Sequence, residues 1–298
     1  WVSSTFAKKT FESISFDKQD KKTNQIIGKV KLEKPVNVIF EGVDLGTYKP
    51  LKPSEVKSID LKNIKEDFCY LFVGHWMQGD HGHDRKNVGV LIKSFYDTFK
   101  TGMGKKPALI LKSSMGVASY ISRDSILDKI KRIKDTYGDV KLPNIYLISG
   151  EFDDSEMNEL YNHPKVKFTK GEGFGRPLLE FATTGKPIIA SGWSGHTDFL
   201  KTDYNVLLPG RLENVHPSAA NDWLVKEAQW FQVDDKTAKS SLKQVYKHYK
   251  DYLNRSKKQK QYIKENFSWD KMKKLVNKNL ESNVPDLPVQ VPLNLSNI

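Results

Sequence analysis

Between residues 68 and 208, short apolar runs alternate with segments whose apolar residues recur every three or four positions. The runs 68–73, 107–112, 144–149, 166–169, 187–191 and 206–208 have the length and apolar content of buried parallel strands. Residues 86–99 read as a helix with Val88, Leu91, Ile92, Phe95 and Phe99 on one face. Residues 122–137 read as another, with Ile126, Ile130 and Ile133 facing inward and Gly138 ending it; 155–162 is a shorter third. Strand and helix in alternation predict an α/β fold: a Rossmann-like parallel sheet of about six strands with helices on both faces.

The flanks follow other rules. Residues 1–16 begin extended and turn helical, with Ser4 or Thr5 as the cap; 17–34 are polar and lysine-rich, a loop or hairpin. Residues 36–50 read as a strand, a glycine turn and a linker, and 51–66 as a charged connector in which Pro50 and Pro53 discourage helix. The stretch 209–234 has no clear period and is expected on the surface. Helical patterns return over 236–253 and 255–266, break at Phe267-Ser268-Trp269-Asp270, and resume to Leu280. The proline-spaced end predicts an extended tail.

The most informative stretch runs from Lys170 to Ser194 and reads as loop, helix, turn and strand. Gly171, Gly173 and Gly175 let the backbone turn tightly and approach a ligand. Pro177 fits the first helical position, and Gly185 fits the end of the helix. A glycine loop feeding a helix start offers N–H groups to a phosphate. Glu172 and Glu180 bracket that start, and carboxylates there accept hydrogen bonds from sugar or ribose hydroxyls. On spacing alone, an acidic first turn that only satisfies the helix dipole fits equally well.

A second polar loop, residues 74–87, follows the first strand of the sheet. Ligands of open parallel sheets bind beyond the carboxyl ends of strands, which places Arg85 and Lys86 where cations can hold a diphosphate. His75, His81 and His83 offer only a weak metal signal, because spacing does not make ligands converge; no metal site is expected. At 150–156, capping by Asp154 or Ser155 is the expected role of the acidic run.

The segment E-G-F-G-R-P-L-L-E (172–180) resembles the E-x7-E motif of retaining GT-B glycosyltransferases of the family 4 type (glycosyl transferases group 1), and G-K-P-I-I-A-S-G-W-S-G (185–195) is similar to the strand and glycine turn that follow it there. Lys86 matches that family's lysine near the diphosphate, while His75 stands in its arginine's place. The resemblance implies a hexose transferred from a nucleotide diphosphate sugar to an acceptor hydroxyl with retention of configuration, and no further cofactor. Lys86, Arg85 and Glu172 would be catalytic; His75, Gly173, Phe174, Gly175, Glu180 and Gly195 would bind donor. It divides the chain into 1–50, the end of an acceptor-side N-terminal domain and its linker; 51–66, a connector; 67–235, a Rossmann-like nucleotide-sugar-binding domain; 236–282, C-terminal helices; and 283–298, the tail. Roughly 150 residues of a first Rossmann-like domain are missing from that pattern, so the chain is expected to be a fragment or a processed product.

Composition adds limits. With 298 residues, 38% hydrophobic and 28% charged, this is the make-up of a soluble globular chain without a membrane span or visible signal peptide. The single Cys69 excludes an internal disulfide and fits a reducing, cytoplasmic setting. A net charge of +12 favours anionic partners, the donor first. The acceptor stays open among a saccharide, a lipid-linked saccharide, a protein or a modified nucleic acid. A non-catalytic nucleotide-sugar-binding or scaffold protein, and a basic nucleic-acid-binding protein, are the alternatives. Glycine patterns for a dinucleotide or a P-loop, and a serine-hydrolase elbow, are absent from the sequence.

Overall fold

The computed structural model describes residues 1–79, 82–101, 104–171, 175–222 and 224–284. The chain begins with helix α1 (Thr5–Ser13), capped by the Ser4 hydroxyl, and a hairpin of β1 (Ser15–Gln19) and β2 (Ile26–Lys31). The lysine-rich segment after the first helix is therefore a hairpin. Residues 36–40 do not enter a named strand; Val38 makes only an isolated bridge to Val2.

The alternating region follows as β3 (Cys69–Val73), α2 (Val88–Phe99), β4 (Ala108–Lys112), α3 (Tyr120–Asp135), β5 (Ile145–Ile148), α4 (Asp154–Asn162), β6 (Val166–Gly171), α5 (Arg176–Ala182), β7 (Ile188–Ser191) and β8 (Val206–Leu208). These six strands form one parallel sheet in the order β5-β4-β3-β6-β7-β8. Period two along each strand divides the core into two layers. Cys69 and Leu71 of β3 face a layer with Leu178, Phe181, Ile263 and Tyr161, whereas Tyr70 and Phe72 face Phe95, Phe99, Ile126 and Leu242. Burial of such side chains on both faces is the main term holding the sheet, at roughly 1.5–3 kcal/mol for each large aliphatic or aromatic residue.

Beyond the sheet, β9 (Gly210–Asn214) and β10 (Gln229–Val233) pair antiparallel, where the sequence shows no period. The helix expected over 236–253 is broken at His248 into α6 (Asp235–Lys247) and α7 (Tyr249–Asn266); His248 leaves helical geometry at φ −114° and ψ 32°. The last helix, α8 (Trp269–Asn283), is capped by Ser268. From residue 285 the expected tail lies outside the described residues. Among the described residues no helix is long and apolar enough to cross a membrane.

Candidate functional site: the edge between β3 and β6

The strand order reverses direction between β3 and β6. From β3 the chain steps outward to β4 and β5, then returns to the other side of β3 with β6, β7 and β8. At such a switch point the loops leaving the two central strands part and open a crevice at the carboxyl edge. Both loops singled out from the sequence leave these two strands.

The β3 loop is tied down along its length. Gly74 N–H bonds to the Lys112 carbonyl at 3.1 Å, and Trp76 N–H to the Ser114 carbonyl at 2.9 Å, so the loop starts by running beside the end of β4. His75 is exposed and its Nδ1 lies 2.8 Å from Ser114 Oγ. Trp76 is buried beneath the loop, with Lys129 Nζ 5.2 Å from its ring centroid. His83 stacks on His216, ring centroids 3.9 Å apart, and Gln78 donates to the carbonyls of Ser218 and Ala220. Asp80 and His81 lie outside the described residues. Among the described residues no group of three or more His, Cys, Asp or Glu side chains could hold a metal ion.

Lys86 returns to the strand it follows. A Cβ built on Gly74 would lie 3.1 Å from Lys86 Nζ, so the ammonium sits against the end of β3. Lys86 is not in helix α2, contrary to the sequence reading. Asp84 is buried and its carboxylate accepts the N–H groups of Val88 at 2.8 Å and Gly89 at 3.1 Å, which starts the helix two residues later. Arg85 is exposed on the same turn.

On the β6 side, Glu172, Gly173 and Phe174 lie outside the described residues. Gly175 takes φ +83°, left-handed backbone that glycine adopts freely, and precedes α5. Pro177 occupies the second helical position, one later than expected. The first turn offers fewer donors than the motif suggests. Leu178 and Leu179 N–H groups both turn back to the Gly175 carbonyl, and proline has none, which leaves Arg176 as the first-turn amide without a partner among the described residues. The turn after β7 adjoins this loop: a Cβ on Gly175 would meet His196 Cβ at 3.2 Å. Gly195 and His196 are buried there, and Ser194 holds φ +82°, uncommon outside glycine. Asp198 anchors α1 by accepting Thr5 N–H at 2.7 Å, and Phe6 packs edge-on against Trp193 at 4.4 Å.

Glu180 is the least ordinary group at this edge. It is 6% exposed; its Oε1 accepts from Arg176 Nε at 2.8 Å and its Oε2 from Tyr161 OH at 3.1 Å. Burial raises its pKa above the usual carboxylate range, although Arg176 and Tyr161 pull the other way. Its hydrogen bond raises Arg176 in turn. Attraction within the pair is real, and the desolvation of Glu180 outweighs it. Glu180 lines a pocket of about 240 Å³ with Asp154, Arg176, Tyr48, Glu41 and Trp269. Tyr48 OH donates to Asp154 Oδ1 at 2.9 Å, so the segment before residue 50 closes one wall. The cap of α4 is Asp153, whose carboxylate accepts Glu156 N–H at 2.8 Å; neither Asp154 nor Ser155 caps it.

Four polar residues had no role in the sequence reading. Arg176 was legible, since it stands four residues before Glu180. Asn87 Oδ1, just before α2, and Ser113 Oγ, just after β4, are buried without a partner among the described residues. Lys112 Nζ bonds the Gly150 carbonyl, tying β4 to the loop after β5. The burial of Asn87 and Ser113 and the contact of Lys112 are not revealed by spacing.

Comparison with solved structures fixes the architecture. HepE of Anabaena, solved in complex with UDP and glucose, superposes with a TM-score of 0.57 at 12% identity over 83% of this chain and 57% of that one. Sucrose-phosphate synthase of Thermosynechococcus elongatus gives 0.54 at 13% identity, covering 83% and 52%. A glycosyltransferase of Rickettsia africae gives 0.54 at 15% identity, covering 83% and 56%. The chain has the fold of a GT-B C-terminal domain. It spans a little over half the length of these matched chains. No protein-family model and no curated protein matches the sequence.

Proposed function

We propose that this chain binds a nucleotide diphosphate sugar at the edge between β3 and β6 and is the donor-binding, C-terminal half of a retaining hexosyltransferase. The observation that carries the reading is the switch point itself: the loop from Gly74 to Lys86 and the segment from Gly175 to Glu180 leave the two strands that flank it. The buried, destabilising carboxylate of Glu180 supports it, because a group that costs the fold stability and lines a pocket is a candidate for function. HepE, of the same fold, has been solved with UDP-glucose.

In this reading Lys86 and Arg85 hold the diphosphate and stabilise the negative charge that grows as the sugar leaves. Glu180 accepts the ribose hydroxyls. Glu172 accepts hydroxyls of the transferred sugar, with Gly173, Phe174, Gly175 and Gly195 supplying backbone that approaches the donor closely. His75 sits beside the diphosphate. The acceptor loses its proton to the departing phosphate on the same face, which needs no protein nucleophile. Acceptor choice lies with residues of a partner domain on the other side of the cleft.

A thermal-shift panel tests this. A nucleoside diphosphate should raise the melting temperature with saturation, and its monophosphate far less, because the second phosphoryl group meets Lys86. Equal shifts from mono- and diphosphate, or none from any base, would overturn the reading.

A further inference from the structure

The largest cavity among those described, about 740 Å³, is not at the carboxyl edge. It lies at the opposite end of the sheet, among the segments that lead into β3, β4 and β5. Strands of this length put the two edges roughly 15 Å apart. Five lysines line it, Lys65, Lys100, Lys105, Lys106 and Lys141, against two carboxylates, Glu66 and Asp67.

Much of this charge is uncompensated. Glu66 is already occupied, accepting from Asn144 Nδ2 at 2.7 Å and Tyr146 OH at 3.0 Å. Lys100 pairs with Asp97 at 2.9 Å, and Lys106 Nζ bonds the carbonyls of Lys100 and Lys141. Lys105 lies 3.8 Å from Asp67 in a pair whose side chains are 93% and 83% exposed, which holds neither in place. Lys65 and Lys141 are exposed, and their ammonium groups have no carboxylate partner among the described residues. Below them the floor is aromatic: Phe68 and Tyr246 meet edge to face at 4.9 Å, and Tyr246 OH is fixed on the Lys105 carbonyl at 2.8 Å.

We propose that this cavity is a second anion site, separate from the donor edge, for a small molecule carrying two or three linked phosphoryl groups. Lys65, Lys105 and Lys141 come from the three chain segments that lead into β3, β4 and β5 and line one cavity, which offers a short chain of phosphoryl groups several ammonium partners. A nucleic-acid strand would need cations spread along an open groove with aromatic faces exposed for stacking, whereas these lysines ring one cavity.

Pyridoxal 5′-phosphate maps such a site, since its aldehyde forms an imine with a lysine beside its bound phosphate and borohydride then fixes it. Peptide mapping should find Lys65 and Lys141 among the most labelled lysines, and tripolyphosphate should protect them. Labelling spread evenly over the surface lysines, or no protection, would overturn the proposal. A second measurement weakens the donor edge first. Calorimetric titration of tripolyphosphate into Lys86→Ala should show binding that weakens roughly tenfold for each of Lys65→Gln and Lys141→Gln added to it. Both positions are exposed, so the fold tolerates the changes; an unchanged affinity would again overturn the site.

Discussion

Replacing Glu180 by glutamine separates a binding role from a structural one. Burial raises the folded-state pKa of this carboxyl above its ordinary value of 4.5. Between 4.5 and that raised value the folded chain keeps a proton the unfolded chain has released, so stability falls as pH rises through the window and stays lowered above it. Glutamine keeps the shape and can still accept from Tyr161 OH, 3.1 Å away. What it loses is the pairing with Arg176, whose side chain is 63% exposed, and such a pair contributes about 1 kcal/mol or less. At neutral pH the melting temperature of Glu180→Gln should therefore stay within about 3 °C of wild type. Affinity for the nucleoside diphosphate should behave differently. Hydroxyl bonds to a charged acceptor contribute about 1.5–3 kcal/mol, so binding should weaken roughly ten- to hundredfold. Calorimetric titration beside melting curves taken from about pH 4 to pH 8 reads both quantities. The wild type should lose stability across the acid window while the variant does not. A variant that melts about 10 °C lower yet binds as tightly as wild type would refute the reasoning and leave Glu180 a purely structural group.

Three further outcomes follow from other contacts. His75→Arg should keep or raise affinity for the nucleoside diphosphate, because among the described residues the exposed ring makes one side-chain bond, to Ser114; a loss beyond about tenfold in titration would give the histidine a role of its own. Asp198→Ala should weaken the docking of α1 by about 1 kcal/mol, since Thr5 N–H loses its acceptor and α1 buries none of its own residues. Trp193 emission and limited proteolysis near Phe11 report it, and no change in either counts against the contact. Lys186→Met should cost about 2 kcal/mol in urea unfolding, because the ammonium donates to the carbonyls of Tyr161, His163 and Val166 at 2.7, 3.0 and 2.7 Å. Burial lowers this lysine from 10.5 to about 7, so wild-type stability should rise with pH between those values and the variant should lack that rise.

The sheet was legible because its strands are buried on both faces, and continuous apolar runs such as 69–73 and 188–191 have few other interpretations. The β9–β10 hairpin was not, because β9 is mostly exposed, β10 mostly half-buried, and the two carry Arg211, Glu213 and Gln232 beside Leu212 and Phe231. The start of α2 was misplaced by two residues because apolar spacing does not show that Asp84 caps it from four residues upstream of Val88. At the site, Lys86, Gly175 and Glu180 could be picked out from the order of their motifs. Local spacing also contains Arg176. It does not contain Tyr161 on Glu180, 19 residues away, or Tyr48 on Asp154, 106 away; both arise only when α4, α5 and the segment around Tyr48 pack together.

The central claim is that the edge between β3 and β6 holds a nucleoside diphosphate, and titration calorimetry tests it most directly. The diphosphate that stabilises the chain most should show one high-affinity site there, tighter than any phosphoryl binding at the opposite edge. Lys86→Ala should weaken it at least about tenfold, as expected for a lost ammonium–phosphate contact, while Lys141→Ala at the opposite edge leaves it unchanged. Binding no tighter than that of inorganic pyrophosphate, or an affinity indifferent to Lys86, would contradict the account.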